Sequence, residues 1–214
     1  MAAETSTSIC NIALARIGAK EITSLENDQS REASLCRRLF HPARRTVLAA
    51  HHWNGALRTA QLTADSDIIS ATVSQWDYGY PVPDDFIRLV SVHPSNDRNT
   101  TCEYFLQNAN HADADLVILA DSNQLFINYI FDNIDIPTMS QGFRDVLNFV
   151  LSRDLCMALG KSASKFDLSA REYRRALTVA KSIDGMEDYP SRLAEGSWVR
   201  SRYGMNTDQT NFND

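Results

Sequence analysis

Residues 143–160, FRDVLNFVLSRDLCMALG, are the stretch that decides the fold. The apolar residues in it recur at the spacing of one helix face, and Gly160 follows the last of them. The members of this face are Phe143, Val146, Leu147, Val150, Leu151, Leu155 and Ala158. Because such a stripe avoids water only by packing on other elements, the pattern predicts an amphipathic helix that ends at a glycine.

Three further segments have helical periodicity, at residues 8–17, 30–51 and 164–183. Gly18 follows the first of them and predicts a left-handed stop. Pro42 lies within the apolar stripe of the second, where it predicts a kink or a break. Helical pattern is therefore found toward both ends of the chain.

The middle of the chain has a different pattern, in which short apolar runs alternate with turn-forming residues. The strand-like runs are residues 86–92, 102–107, 116–120 and 124–131. Asp-Ser-Asn at residues 121–123 is a turn signal, and it predicts a hairpin between the last two runs. Residues 57–75 are polar with short apolar pieces, and we expect no clear helix there.

Together these patterns predict an α+β fold that is predominantly α. We expect an antiparallel helical bundle from residues 1–55 and 137–187, interrupted by an acidic, β-rich insertion at residues 56–136. Residues 188–214 have no hydrophobic period, and we expect them to form an extended C-terminal tail.

The net charge of −6 is spread unevenly over the 214 residues. Residues 1–60 carry +3, residues 61–136 carry −10 and residues 137–214 carry +1. Charge asymmetry of this kind concerns surfaces and partners rather than the fold. It predicts that the middle of the chain and its ends present electrostatically opposed surfaces.

The sequence has none of the usual signatures of catalysis or of cofactor binding. The phosphate-binding loops GxxxxGK[ST] and GxGxxG are absent, as is the GxSxG motif of serine hydrolases. His51 and His52 are adjacent, so on a helix they would point about 100° apart and would not share one metal ion. We therefore predict no catalytic residue, no cofactor and no metal, and we expect that the protein is not an enzyme.

The cysteines and the hydropathy concern localisation. Cys10, Cys36, Cys102 and Cys156 are widely spaced, which is typical of buried thiols in a reducing compartment. No stretch approaches the roughly 20 apolar residues that span a bilayer, and we see no secretory signal. We expect synthesis in the cytoplasm and no membrane contact.

Two groups of side chains are candidates for binding a partner. The first is a basic face on the second predicted helix, formed by Arg37, Arg38, Arg44 and Arg45, for which we favour contact with a neighbouring subunit. The second is the tail, whose aromatic and arginine side chains are candidate anchors. Its members are Tyr189, Arg192, Trp198, Arg200, Arg202, Tyr203 and Phe212.

Two alternative functions remain open at this point. Carboxylate pairs in the acidic middle could act as acid and base in a glycan hydrolase. These pairs are Asp84 with Asp85, Asp113 with Asp115, and Asp132 with Asp135. The basic face could instead contact DNA phosphates, as in a basic-helix DNA-binding module.

Three blocks of sequence resemble one known family in their order and spacing. They are residues 9–19 (ICNIALARIGA), 80–89 (YPVPDDFIRL) and 126–130 (FINYI), the last followed by the helix at 143–159. The resemblance is to the head-to-tail adaptors of tailed bacteriophages, called tail tubular protein A in short-tailed phages. It covers about residues 8–184.

The resemblance implies a structural virion protein at the head–tail junction. A ring of subunits, typically about twelve, would dock beneath the portal protein and receive tail nozzle proteins on its far side. It would extend the channel through which genomic DNA passes at ejection, without sequence-specific binding. In longer members of the family a C-terminal tail reaches along the portal, which suggests the same role for the candidate anchors at 189–212.

Overall fold

The computed structural model describes residues 5–71, 75–96, 100, 102–111 and 114–187. Within them, helices lie at both ends and strands lie between. The helices are α1 (Ser6–Ile17), α2 (Arg31–Ala50), α3 (Ser66–Ala71), α4 (Gln141–Ala158) and α5 (Ala163–Glu187). The strands are β1 (Leu57–Leu62), β2 (Tyr78–Pro81), β3 (Phe86–His93), β4 (Phe105–His111), β5 (Ala114–Ala120) and β6 (Leu125–Phe131).

Side-chain caps and a glycine stop set the ends of the long helices. The hydroxyl oxygens of Ser30 and Ser140 each accept a hydrogen bond from the backbone N–H three residues later, at 3.3 Å. Gly18 ends α1 with a φ of 65°, in the left-handed region that disfavours a side chain. The N–H of Gly18 donates to the Ala15 carbonyl at 3.0 Å, which closes the last turn.

The central helix is α4, against which α1, α2 and α5 all pack. Six of the seven apolar residues predicted for its buried face are fully buried, and the seventh, Ala158, is half-buried. Phe143 meets Trp53 edge to face, with the ring centroids 5.3 Å apart. The indole N–H of Trp53 donates to the Val47 carbonyl at 2.7 Å, so this large ring is buried with its polar atom satisfied.

The six strands form two antiparallel sheets of three strands each. Sheet A has the order β1-β6-β3, and sheet B has the order β2-β5-β4. Tyr80 and Ile118 of sheet B are buried in one cluster with Ile127 and Tyr129 of sheet A, so the sheets share a core. A smaller cluster around Ile68 of α3 completes the burial of sheet B.

Sheet A connects the sheets to the helices. Ile130 of β6 belongs to the core around α4, whereas Ile127 and Tyr129 belong to the core between the sheets. The guanidinium of Arg88, on β3, donates to the Ala49 carbonyl of α2 at 3.0 Å. The layers therefore follow the order α5, then α4 with α1 and α2, then sheet A, then sheet B.

The predicted fold class is wrong. The chain is a mixed protein of helices and two three-stranded antiparallel sheets, and not a predominantly α antiparallel helical bundle. The prediction failed because β1, β2 and α3 lack the periodicity by which such elements are found in a sequence. β1 reads LRTAQL, and β2 contains Gly79 and Pro81, two residues that disfavour strands. Pairing with β6 and β5 makes these segments strands.

The predicted hairpin around residues 121–123 is also wrong. β5 lies in sheet B and β6 lies in sheet A, so this turn carries the chain from one sheet to the other. The actual antiparallel neighbour of β5 in sequence is β4, with Phe105 opposite Leu119. A local turn signal indicates that the chain changes direction. It does not specify whether the strands on either side of the turn pair with each other.

Helix α2 is unbroken at Pro42, where a kink or a break was predicted. The side chain of Pro42 is exposed, so it lies outside the buried stripe of the helix. One turn later, the hydroxyl of Thr46 donates to the Pro42 carbonyl at 2.9 Å. A proline on the solvent side does not disturb the packing of the opposite face.

Helix α5 continues through Gly185 to Glu187, beyond its predicted end at residue 183. The buried Asp184 helps to hold this last turn. Nε2 of His51 lies 3.1 Å from its carboxylate, and the backbone N–H of Asn54 donates to it at 3.3 Å. These contacts fix the end of α5 to the segment that follows α2.

The predicted tail at residues 188–214 lies outside the described residues. The division into bundle, insertion and tail stays a prediction. Among the helices in the described part of the chain, none is both long enough and apolar enough to cross a bilayer.

Candidate assembly surfaces

Arg37, the first residue of the predicted basic face, is engaged by its own chain. Its guanidinium donates to the backbone carbonyls of Leu25, Glu26 and Asp28, at 2.9, 3.2 and 2.8 Å. All three hydrogen bonds come from Nη1, whose two N–H groups are shared among the three carbonyls. Arg37 therefore fixes the loop between α1 and α2.

Arg44 and Arg45 both bind Asp132, which directly follows β6. Nη2 of Arg44 lies 2.5 Å from one carboxylate oxygen, and Nε of Arg45 lies 2.8 Å from the other. The side chain of Arg44 is 3% exposed and that of Arg45 is 62% exposed, so only the first ion pair is buried. Burial alone would raise the pKa of the Asp132 carboxyl, but the hydrogen bonds and charges of Arg45 and Arg44 outweigh it, and the pKa is lowered.

Arg38 and Arg45 are the two arginines of the predicted face that remain exposed on α2. That they contact a neighbouring subunit stays a prediction. The candidate anchors at residues 189–212 lie outside the described residues, so their role stays a prediction too.

An apolar surface is exposed along α5. It consists of Leu168, Val179, Ile183 and Met186, which are 54, 53, 48 and 74% exposed, and we call it the α5 surface. Positions separated by 11, 4 and 3 residues fall on one side of a helix, so the four side chains lie in a row. Glu172 and Arg175 lie on the same side of the helix between Leu168 and Val179, so the closely spaced apolar positions are Val179, Ile183 and Met186.

A groove of about 550 Å³ runs beside the α5 surface, between α4 and α5. Phe149 and Ala176 contribute apolar area to it. Arg16 of α1 also lines it, with its guanidinium 4.0 Å from the centroid of the Phe149 ring. Six lining residues are charged, and four of them are acidic: Asp145, Glu172, Asp184 and Glu187, beside Arg16 and Arg175.

A second apolar surface lies at the start of β4. Tyr104, Phe105 and Leu106 are 43, 52 and 37% exposed, and we call them the β4 surface. Phe105 and Leu106 point to opposite faces of sheet B, because they are successive residues of a strand. β4 is an edge strand of sheet B, which makes it accessible to another molecule. Two acidic side chains flank it: Glu103 is exposed beside it, and exposed Asp67 lies on α3, which packs against β4.

The two surfaces lie on different elements of the fold. α5 packs on α4, and β4 is an edge strand of sheet B.

The carboxylate pair at residues 84 and 85 is not a free acid–base pair. Nη1 of Arg58 lies 2.5 Å from Asp85, and the hydroxyl of Tyr129 donates to the same carboxylate at 3.0 Å. These contacts join β1, β6 and the start of β3, so Asp85 serves to hold sheet A together. The side chains of Asp113 and Asp115 lie outside the described residues.

A polar cluster on sheet A surrounds His93 of β3. Nδ1 of His93 lies 2.7 Å from the Thr100 carbonyl, so it carries the hydrogen, and Nε2 accepts from the Ser91 hydroxyl at 2.9 Å. The amide of Asn128 donates to Ser91 at 2.8 Å and accepts from the Thr59 hydroxyl at 2.6 Å. These groups satisfy one another across three strands, which is typical of a structural polar ladder.

The cysteines agree in part with the prediction of buried thiols. Cys10, Cys36 and Cys156 are buried, Cys102 is half-buried, and all four are free. The hydrogen bond with Cys36, together with burial, raises the pKa of the Cys10 thiol. In the part of the chain that the structure describes, no group of three or more His, Cys, Asp or Glu side chains could hold a metal ion.

Comparison with known proteins adds no relative. No family model matches the sequence, and no curated protein is found to be similar to it. The resemblance to head-to-tail adaptors thus depends on the sequence blocks at residues 9–19, 80–89 and 126–130.

Neither apolar surface was predicted from the sequence, although α5 carries a signal for one. Tyr173 and Leu177 pack against the core around α4 and are half-buried. Residues 176, 179, 183 and 186 form a second apolar row with the spacing 3-4-3. A helix with two apolar rows can bury only one against its own chain, so the second row indicates an external contact. No such signal identifies the β4 surface, because an exposed strand residue and a buried one look alike in sequence.

Proposed function

We propose that this protein is a structural virion subunit, the head-to-tail adaptor of a tailed bacteriophage. It forms a ring beneath the portal, extends the DNA channel and provides the platform on which tail nozzle proteins assemble. The observation that carries the proposal is the pair of unlike apolar surfaces, on α5 and on β4. A ring needs two different complementary faces on each subunit, whereas a two-fold dimer needs one self-complementary face.

The charge distribution supports the same proposal. Residues 61–136 carry −10, which is suited to a channel through which DNA must move. A wall that weakly repels phosphate lets the genome pass, whereas an attractive wall would slow its transit. DNA therefore passes through the lumen without being recognised by sequence.

The tail at residues 188–214 is proposed to anchor the ring on the portal. Its aromatic and arginine side chains are the residue types that dominate binding energy at protein interfaces. Helix α5, from which the tail continues, is held at its end by the buried Asp184. Deletion of the tail is expected to leave the fold intact and to weaken docking on the portal.

The alternatives have less support from the described residues. Asp85 and Asp132 are each bound by arginine, so two of the three carboxylate pairs proposed for a glycan hydrolase have one member engaged. Three of the four arginines of the basic face, Arg37, Arg44 and Arg45, are engaged within the chain, which leaves less of that face for DNA phosphate. No observation favours either function over assembly.

Electron microscopy of the protein mixed with the portal of the same phage tests the proposal. We expect an added ring on one end of the portal, made by the full chain and made poorly by a chain ending at residue 187. A thermal melt of the shortened chain is the control, and it should match that of the full chain. Absence of added density on the portal at micromolar concentrations would rule out the adaptor function.

A further inference from the structure

We infer that the groove beside the α5 surface binds residues 192–203 of the same chain, RLAEGSWVRSRY, before the chain meets its partners. This C-terminal segment lies outside the described residues, and four residues separate it from the end of α5 at Glu187. The binding concerns the chain alone. Only its consequence for assembly rests on the proposed function.

The groove continues along most of α5. Its first part, of about 550 Å³, reaches Glu187, the last residue of the helix. A second part, of about 350 Å³, reaches Leu168, and the two parts share Arg16, Phe149 and Glu172 in their walls. Residues 168 and 187 are about 28 Å apart along a helix that rises 1.5 Å per residue. A groove of this length suits an extended segment of chain.

The C-terminal segment begins close to one end of this groove and is long enough to fill it. Proline cannot continue a helix, so Pro190 favours a turn just after Glu187. Twelve extended residues at about 3.3 Å each span about 40 Å, so residues 192–203 can run back along the whole groove. A short tether gives an effective concentration of about 1 mM, at which weak contacts are populated.

The apolar side chains of the groove and of the segment suit each other. Phe149 and Val179 line the groove. Trp198 and Tyr203 are the aromatic side chains of the segment, and an aromatic side chain buries roughly 150–250 Å². Their placement in the groove would cover the closely spaced apolar positions of α5, which are exposed to water in the described part of the chain.

The order of the charges favours this segment as well. Read back from the end of α5, its lining charges are two acidic, one basic and one acidic: Glu187, Asp184, Arg175 and Glu172. Those of the segment are basic, acidic and basic: Arg192, Glu195, then Arg200 and Arg202. The first series extends over about 22 Å of helix, and residues 192 to 200 extend over about 26 Å of strand. Asp145 and Arg16, from α4 and α1, add one charge of each sign. A segment that runs back along α5 therefore places unlike charges beside each other.

The contact would keep the α5 surface covered until the portal takes the tail. Arg192, Trp198 and Tyr203 are among the residues proposed to anchor the ring, so the groove and the portal compete for one segment. Withdrawal of the segment onto the portal would uncover Val179 and its neighbours for the next subunit. Such competition requires a weak contact in the free chain, so loss of the segment changes the thermal melt little.

The rate of thiol labelling in the groove tests this contact in the full-length chain. Val179→Cys is made together with Cys102→Ser, because the other native thiols are buried and Cys102 is half-buried. The rate of reaction with a maleimide dye then reports how often the groove is uncovered. We expect Trp198→Ala with Tyr203→Ala to raise this rate about fivefold, since the segment loses its aromatic contacts.

Two matched controls accompany this measurement. Phe212→Ala removes an aromatic side chain of the tail outside residues 192–203, and it should leave the rate at Val179→Cys unchanged. Ile134→Cys places the thiol at an exposed apolar position outside the groove, and its rate should not respond to the tail variants. If Trp198→Ala with Tyr203→Ala has no effect at Val179→Cys, or the same effect at Ile134→Cys, the inferred contact is wrong.

The dependence on protein concentration identifies which copy supplies the segment. Protection by the same chain should be constant between about 1 and 100 μM, because the tether fixes the local concentration. Protection that grows over this range would mean that the segment comes from a second copy, which would contradict the inference.

Charge reversal tests the order of the charges. Arg192→Glu with Arg200→Glu should also raise the labelling rate at Val179→Cys. Glu187→Arg with Glu172→Arg in the same chain should lower the rate again. Thermal melts check that each variant is folded, and failure to restore protection between folded variants would contradict the inferred pairing.

The measurement on the free chain separates this inference from the proposed function. If the segment protects Val179→Cys and the portal binds no ring, the contact stands while the adaptor function is wrong. If a ring forms on the portal and the free chain shows no protection, the contact is wrong while the adaptor function stands.

Discussion

The helices and the sheets of this protein bury their apolar side chains in different ways. The helices enclose one large core around α4, whereas the sheets divide their burial between a shared cluster and a smaller one around Ile68. The two regions meet through Ile130 and through the arginines that bind Asp132. The difference indicates that the larger apolar core, and with it the larger hydrophobic contribution to stability, lies among the helices.

Removal of the ring of Phe143 should have the largest effect, because it opens a cavity at the centre of the helical core. Phe143 is fully buried against Trp53. We expect Phe143→Ala to lower the free energy of unfolding by about 3–5 kcal/mol, measured by urea denaturation. Ile134→Ala is the control, and because Ile134 is exposed it should cost less than about 0.5 kcal/mol. Similar losses in the two variants would show that the core is not where the structure places it.

Loss of the Asp132 carboxylate should be the next largest effect. Asp132→Ala leaves Arg44 buried without its counter-ion, which we expect to cost about 3 kcal/mol in urea denaturation. Arg45→Ala breaks only the exposed pair and should cost less than about 1 kcal/mol. Equal losses would mean that the buried pair does not hold the sheets to the helices.

Acid should abolish the difference between the native chain and Asp132→Ala. The pKa of Asp132 is lowered in the folded state. Its full contribution to the free energy of unfolding is therefore present above the ordinary carboxyl pKa of about 3.9. The contribution is then lost as the pH falls below that value and through the folded pKa. A difference in unfolding free energy that stays constant from neutral pH into this range would contradict the ion pair.

A methyl group at Gly79 should disturb the sheets without touching the helical core. A Cβ built there would lie 2.5 Å from Cγ2 of Ile68, so β2 and α3 would have to separate. We expect Gly79→Ala to cost about 1–3 kcal/mol, together with faster hydrogen exchange in the sheets than in α4. The double variant with Ile68→Ala removes the clashing atom. If this second change does not slow the exchange in the sheets again, close packing is not the cause.

The smallest effect concerns the loop before α2. Asp28 accepts hydrogen bonds from the backbone N–H groups of Ser30 and Thr23, at 2.8 and 3.0 Å, and they lower its pKa to about 2. Carboxyl chemical shifts followed by NMR should give a midpoint near that value. A midpoint near the ordinary value of about 3.9 would mean that the loop is not held in this conformation.

The helices could be predicted from the sequence because their burial is periodic. Six residues of the α4 stripe are fully buried as predicted, and Gly18 ends α1 in the left-handed conformation. The assignment of strands to sheets could not be predicted, since the turn at 121–123 looks the same whether it closes a hairpin or joins two sheets. The strands themselves were found where apolar residues were frequent, as in β3 and β6, and missed in β1 and β2.

The candidate surfaces could be predicted only in part, for a related reason. The charge of Arg44 and Arg45 was visible in the sequence, but their partner Asp132 lies 87 residues or more away, and only the fold brings it near. The second apolar row of α5 was visible as spacing, but its exposure depends on which face meets α4. Contacts that depend on distant segments are not encoded in any local pattern.

The mass of the purified full chain, alone and mixed with the portal protein proposed as its partner, tests the central claim most directly. Two unlike surfaces on each copy predict a chain that is mainly monomeric at micromolar concentrations and that adds to the portal as a complete ring of identical copies. Sedimentation velocity distinguishes this result from the alternatives. A closed two-fold dimer, or a monomer that ignores the portal, would contradict the claim that this protein assembles head to tail.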